Sequence, residues 1–211
     1  MKTVSKKYQV FLLSFMALHN TSFEQSKTGI ENYQYMADRS GVNLVSIIHH
    51  QTKRGLYTEL RYNYEELHTA SVYAGRSLLM GNNKNFSFTP MAGFVMGNYT
   101  GGSLAMNTDL EYKDVYFSSQ AQYTMNKDDA NDNFFYNWAE LGYNLLPWLY
   151  TGVTVQQTLL RKMKMETAAG FTTGFVRNKW SVPVYFFNPF RDDKYFVIGI
   201  NYEWEPYKKT K

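Results

Sequence analysis

The chain contains no cysteine among its 211 residues. That absence excludes a disulfide framework, a thiolate metal site and a catalytic thiol, and it leaves the compartment open on redox grounds. It also lacks any apolar run of about 18 residues, the minimum for a membrane-spanning helix. An excess of one charge is missing too. Lys and Arg number 22 against 18 Asp and Glu, and part of the +4 sits in Lys2, Lys6, Lys7, Lys208, Lys209 and Lys211. No basic stripe interleaved with aromatics occurs within any one segment, so nucleic acid is not an expected partner.

Rings are abundant instead. Aromatics make up 18% of the chain, yet its mean hydropathy is −0.44. Alternation of apolar and polar side chains reconciles the two, because each ring or aliphatic is followed by a polar residue. The amino-terminal stretch reads as an export signal: Lys2, Lys6 and Lys7, then the short apolar core Val10 to Leu18, then polar His19 to Gln25. Cleavage is expected between Ser22 and Ser26, although Glu24 departs from the usual small residue. The domain division is therefore residues 1–25 as signal and 26–211 as barrel.

From Gly41 onward the period is two. Leu104, Met106, Thr108, Leu110 and Tyr112 share one face, and Ser103, Ala105, Asn107, Asp109, Glu111 and Lys113 the other. The same reading gives strands at 42–51, 55–65, 69–79, 86–97, 102–113, 115–125, 134–145, 149–159, 165–176, 180–188 and 194–204. Strands near ten residues long with turns every dozen predict an antiparallel up-and-down transmembrane β-barrel. Such barrels have an even strand count, and residues 30–37 can supply a further strand. Twelve strands are expected, with ten as the fallback. The tight connections at 113–114, 146–148 and 177–179 place the carboxyl end in the periplasm, since longer loops face outward.

Under that orientation Phe86, Tyr112, Tyr143, Trp148, Trp180 and Trp204 form a periplasmic aromatic girdle. Tyr64, Tyr99, Tyr123, Phe135 and Phe186 fall toward the opposite ends. The polar faces carry Glu59, Arg61, Glu65, Asp109, Glu111, Lys113, Gln120, Gln122, Glu140, Glu166 and Glu203 toward the presumed lumen. Isolated charges are costly there, so a network that pairs across the interior is expected. A selectivity lining or a buried catalytic acid is the sharper alternative.

Other chemistry finds little support. His49 and His50 are adjacent, point to opposite faces and cannot chelate one metal together. His50 beside Thr58 or Ser71 is the nearest approach to a hydrolase pair. The loop Asp128 to Asn133 is rich in oxygen ligands but lacks the glycine and closing glutamate of an EF-hand. No catalytic residue, metal or cofactor is assigned. Pro90 and Pro183 lie inside strands and mark expected bulges or kinks. Gly93, Gly97, Gly142, Gly152, Gly170, Gly174 and Gly199 mostly fall on the lumen face.

The segments Leu56 to Ser77, Phe134 to Leu145 and Val182 to Glu203 resemble a group of small, functionally uncharacterised outer-membrane barrels of Bacteroidetes-type bacteria. The resemblance covers most of the barrel region and implies that fold and the bacterial outer membrane, without catalytic residues to carry over. The expected function is a non-enzymatic outer-membrane barrel, structural, pore-forming or partner-binding. Outer-membrane lipid and other outer-membrane proteins are its expected partners. An outer-membrane enzyme acting on lipid or peptide, and a soluble periplasmic ligand-binding barrel, are the alternatives.

Overall fold

The structure is a computed structural model, and it describes residues 26–37, 41–80, 85–161 and 163–205. The expected signal segment, 1–25, lies outside the described residues. Thirteen strand segments follow one another: β1 (Lys27–Ala37), β2 (Gly41–Gln51), β3 (Leu56–Tyr62), β4 (Thr69–Arg76), β5 (Leu78–Met80), β6 (Phe86–Gly97), β7 (Gly101–Tyr112), β8 (Val115–Asn126), β9 (Phe134–Leu146), β10 (Leu149–Leu160), β11 (Glu166–Arg177), β12 (Trp180–Phe187) and β13 (Tyr195–Trp204). Apart from β4 and β5, which do not pair with each other, each pairs antiparallel with its neighbours in sequence, and β13 pairs back onto β1 from Thr28↔Trp204 to Ala37↔Tyr195. β4 and β5 both pair with β6 and are two parts of one stave. The result is a closed barrel of twelve staves.

Proline explains the one broken stave. β6 pairs with β4 through Gly75↔Met91 and with β5 from Leu78↔Phe88, so Pro90 faces the gap. Its missing N–H could not have continued that ladder. Ser77 N instead donates to Gly55 O at 2.8 Å. Pro183 acts likewise on the other side of the barrel. The β12–β13 ladder runs through Ser181↔Asn201 and resumes at Val184↔Ile198, with the intervening positions unpaired.

Closure removes every free sheet edge, and alternation then decides what faces each way. The outer surface exposes Leu44, Ile48, Leu60, Val72, Phe94, Leu104, Leu141, Val153, Phe171 and Ile200. A contiguous aliphatic belt of this kind around a hydrogen-bonded cylinder is stable in lipid and not in water. The soluble alternative is therefore excluded. The chain reverses through the tight turns 113–114, 147–148 and 178–179 at one end, where β1 begins and β13 stops. Longer connections, including 63–68, 127–133 and 188–194, lie at the other end.

Strand β3 is shorter than its alternation predicts. It stops at Tyr62 because Asn63 takes a left-handed φ of 57°, and the chain re-enters β4 through His68 at φ 55°. Asn and His are among the few non-glycine residues that tolerate this region. Residues 63–68 therefore leave the wall, with consequences for the lumen.

Candidate functional site

The inner wall is built from rings lying on glycines. Gly29 pairs with His49, Gly93 with Tyr73, Gly142 with Tyr116, Gly174 with Tyr150 and Gly199 with Tyr33, each directly across a ladder. A Cβ on any of these glycines would meet the partner ring at under 3 Å. The glycines thus let the rings lie flat against the wall, leaving their polar ends to reach into the lumen.

At mid-lumen the polar groups converge on one cation. Arg61 is 1% exposed and makes an ion pair through Nε with Glu59. Its Nη1 donates to Gln122 Oε1 at 2.5 Å and lies 3.9 Å from Glu65. The guanidinium is sandwiched between the rings of Tyr64 and Tyr73, at 4.3 and 4.4 Å from their centroids. Cation–π contact gains strength where water is excluded, as it is here. Glu65 has a fully buried side chain that accepts from Ser71 Oγ and Tyr73 Oη, all at 2.9 Å.

From Glu59 the network continues toward the tight-turn end. Tyr57 Oη donates to Glu59 and lies 3.1 Å from His49 Nδ1, which stands 3.8 Å from Glu31. Tyr33 Oη donates to Glu31 at 2.7 Å and accepts from Asn201 Nδ2 at 3.3 Å. Beside it, Trp138 packs on Tyr33, Tyr185 and Phe187 at centroid distances of 5.4, 5.0 and 6.2 Å. This cluster, with Ile47 and Val197, is the larger of two apolar clusters among the described residues, the other being Tyr57, Tyr73, Met91 and Ala105, and both lie inside the barrel.

These two features divide the interior. On the tight-turn side is a cavity of about 720 Å³, on the other one of about 410 Å³, and they share no lining residue. Glu31, Asp109, Glu111, Glu140, Glu203 and Glu205 line the larger one, against Lys27 and His49. Lys27 is itself paired with Glu203 at 3.2 Å. The smaller cavity is lined by Tyr35, Tyr64, Glu65, Glu66, Tyr136, Gln156 and Tyr195 among others.

The residues singled out in the sequence scatter over this landscape. Glu59, Arg61, Glu65 and Gln122 meet at the mid-lumen. Glu65 does so from a loop, not from the strand expected to run to it. Gln120 accepts from Tyr64 Oη at 3.0 Å, and Glu140 accepts from Tyr116 Oη. Asp109, Glu111 and Glu203 line the larger cavity apart from Arg61, with Asp109 accepting from Ser87 at 2.9 Å. Glu166 is exposed at the rim. Lys113 is not in the lumen: it occupies a turn with φ 55° and lies over the outward Tyr112 ring.

Phe86, Tyr112, Tyr143, Trp148, Trp180 and Trp204 stand on the outer face at the tight-turn end, where Trp180 stacks obliquely on Tyr202 at 4.7 Å. At the opposite end Tyr123, Phe135 and Phe186 also face out. Two rings expected there do not. Tyr64 folds inward over Arg61, and Tyr99 is buried under the 127–133 loop, donating to Thr124 O and Asp132 O at 3.3 and 3.1 Å. Burial, with Asp132 and Tyr123 nearby, pushes the Tyr99 phenol up to about 12.

His50 faces outward and bonds Thr28 Oγ1 at 2.8 Å, whereas Ser71 faces in on Glu65, so the two cannot act together. Asp129 caps a single 3-10 turn, Ala130–Asp132, and Asn133 binds Asn126 N, so much of that loop's oxygen set serves the loop itself. Sequence reading did not assign the inner rings. Their signal was present, because Tyr57 shares a face with Glu59 and Arg61, and Trp138 with Glu140 and Gly142.

A closed antiparallel barrel with an aliphatic belt, flanking outward rings and a polar interior defines a bacterial outer-membrane β-barrel. Among solved structures, the chain is similar to the KdgM porin in complex with disordered oligogalacturonate, with TM-score 0.63, 13% identity, and 82% of this chain and 98% of that one covered. A second KdgM porin structure gives 0.60 at the same identity, and the NanC porin 0.57 at 7% identity over 85% of this chain and 100% of that one. These likenesses show the fold. No protein-family profile and no curated protein matches the sequence.

Proposed function

We propose that the protein is a non-enzymatic, narrow-bore channel of the outer membrane, in which the mid-lumen septum limits passage to small ions and water. One observation carries this reading. Arg61 is clamped between two rings and two carboxylates between two cavities that have no lining residue in common. A wide pore would leave such a residue hydrated. The outward rings at both ends serve as lipid-interface anchors, and outer-membrane lipid is the partner they imply. The Bacteroidetes-type group of small barrels is the lineage suggested by the segments Leu56 to Ser77, Phe134 to Leu145 and Val182 to Glu203.

Charge sets the preferred ion. Carboxylates outnumber cationic groups along the larger cavity, and rings of Asp and Glu favour cations. The ligand of one similar porin, oligogalacturonate, is a polyanion. An acidic vestibule does not suit a ligand of that charge. Planar-bilayer recording tests both halves of the reading. Conductance should be small, and a potassium chloride gradient should give a reversal potential of the sign for cation permeation. Large steps comparable to open general porins, or an anion-selective reversal potential, would overturn it.

A further inference from the structure

The septum is not made by the barrel wall alone. Two of its parts, Tyr64 and Glu65, belong to the 63–68 connection, which bends into the lumen between two left-handed residues, Asn63 and His68. The bend is held at its base: Asn63 N donates to Thr69 O at 2.8 Å, and His68 N donates to Asn63 Oδ1 at 2.8 Å. From there the loop reaches far across the interior. Tyr64 Oη donates to Gln120 on β8 at 3.0 Å, and the Tyr64 ring meets Tyr136 on β9 edge-on at 5.6 Å.

We propose that residues 63–68 form a strap that gates the lumen, latched by Glu65 and Tyr64 on Arg61 and pivoting at Asn63 and His68. This rests on the channel reading given above. The strap meets the barrel interior chiefly through hydrogen bonds, an ion pair and ring contacts, with the Tyr64 ring also packed against the apolar cluster around Trp138. Water replaces each hydrogen bond on release, so each costs far less to break than in isolation; summed over the latch they make the latched state the predominant one and the released state brief. Release withdraws Tyr64 and Glu65 from Arg61, and it joins the two cavities into one conduit. Arg61 keeps Glu59 as its partner on the wall and is not left as an uncompensated charge.

The absence of cysteine makes the test clean. Glu66 and Gln156 line the smaller cavity from the strap and from β10. In a Glu66→Cys/Gln156→Cys double variant, a short bis-methanethiosulfonate linker would tether the strap to the barrel wall without touching Tyr64, Glu65 or Arg61. Single-channel records of the untethered double variant should show brief steps from a low level to a higher one. Tethering should abolish the higher level, and dithiothreitol should restore it.

Independently, Glu65→Gln should raise the time spent at the higher level by about tenfold, the occupancy change equivalent to ~1.4 kcal/mol. Retention of heat-modifiable migration in SDS would confirm that both variants remain folded. Steps to the higher level that persist under the tether would overturn the gate and leave the channel standing. A folded barrel silent in every form, tethered or released, would overturn the channel reading and the gate with it.

Discussion

Arg61 faces Glu59 and Glu65 with almost no access to water, and the two rings that hold it leave no room for a replacement hydration shell. Removing only the cation leaves two buried carboxylates unbalanced. Arg61→Met should therefore destabilise the barrel by about 3–5 kcal/mol, the usual cost of breaking one side of a buried ion pair. Urea unfolding in lipid vesicles, followed by tryptophan fluorescence, measures this. Adding Glu65→Gln to Arg61→Met should recover part of the loss, because one of the orphaned charges is then gone.

Tyr99 offers a pH test outside the membrane. Its phenol donates to two carbonyls in the protonated form, with its pKa raised from 10.0 to about 12. The folded state thus holds that proton more tightly than the unfolded chain. Its stabilisation is fully present below pH 10 and is lost as pH rises toward about 12. The mobility of a spin label on the 127–133 loop should rise across that window in the wild type. In Tyr99→Phe it should be high already at neutral pH, and it should gain no further step there.

The strands are where sequence and structure agree most closely, and the reason is physical. Period-two alternation is enforced by lipid on one side and a polar lumen on the other, so a strand cannot slip without inverting both faces. β6 to β13 fall within a residue or two of their expected limits. Alternation fails at β3, because Asn63 leaves the extended region while the pattern of rings and carboxylates continues through Tyr64 and Glu65. A polar–apolar string does not distinguish a strand from a loop that folds inward. The outer face can be probed at Leu141, which is 50% exposed between Phe117 and Val153. Leu141→Arg should cost about 2–4 kcal/mol if that position lies near the bilayer midplane. The same urea titration in vesicles of defined lipid reads it out, and no loss of stability would place the belt elsewhere.

At the scale of the whole barrel, the polar residues of the lumen were legible but their grouping was not. Parity alone puts Glu59, Arg61, Gln122 and Glu140 inside. Which of them touch depends on curvature and stagger, which bring β3 within reach of β8 although Arg61 and Gln122 are 61 residues apart. The rings tell the same story. Aromatic content marked the molecule as a barrel, but whether a ring anchors in lipid or fills the bore follows from its strand parity and from whether a glycine lies opposite.

The seam between β1 and β13 has one more consequence. Its ladder runs from Ala37↔Tyr195 to Thr28↔Trp204, and the Lys27–Glu203 ion pair lies at that last end. The described chain is thus a ring cut at a single point, with both cut ends at the same mouth. Nothing in the staves requires the cut to lie there. A circular permutant that links residues 26 and 205 through a short flexible bridge, and opens in the 127–133 loop, keeps every ladder intact. Its first and last strands would be β9 and β8. It should insert into vesicles and keep heat-modifiable migration, whereas removal of β13 alone would leave β1 and β12 as two raw edges and abolish both.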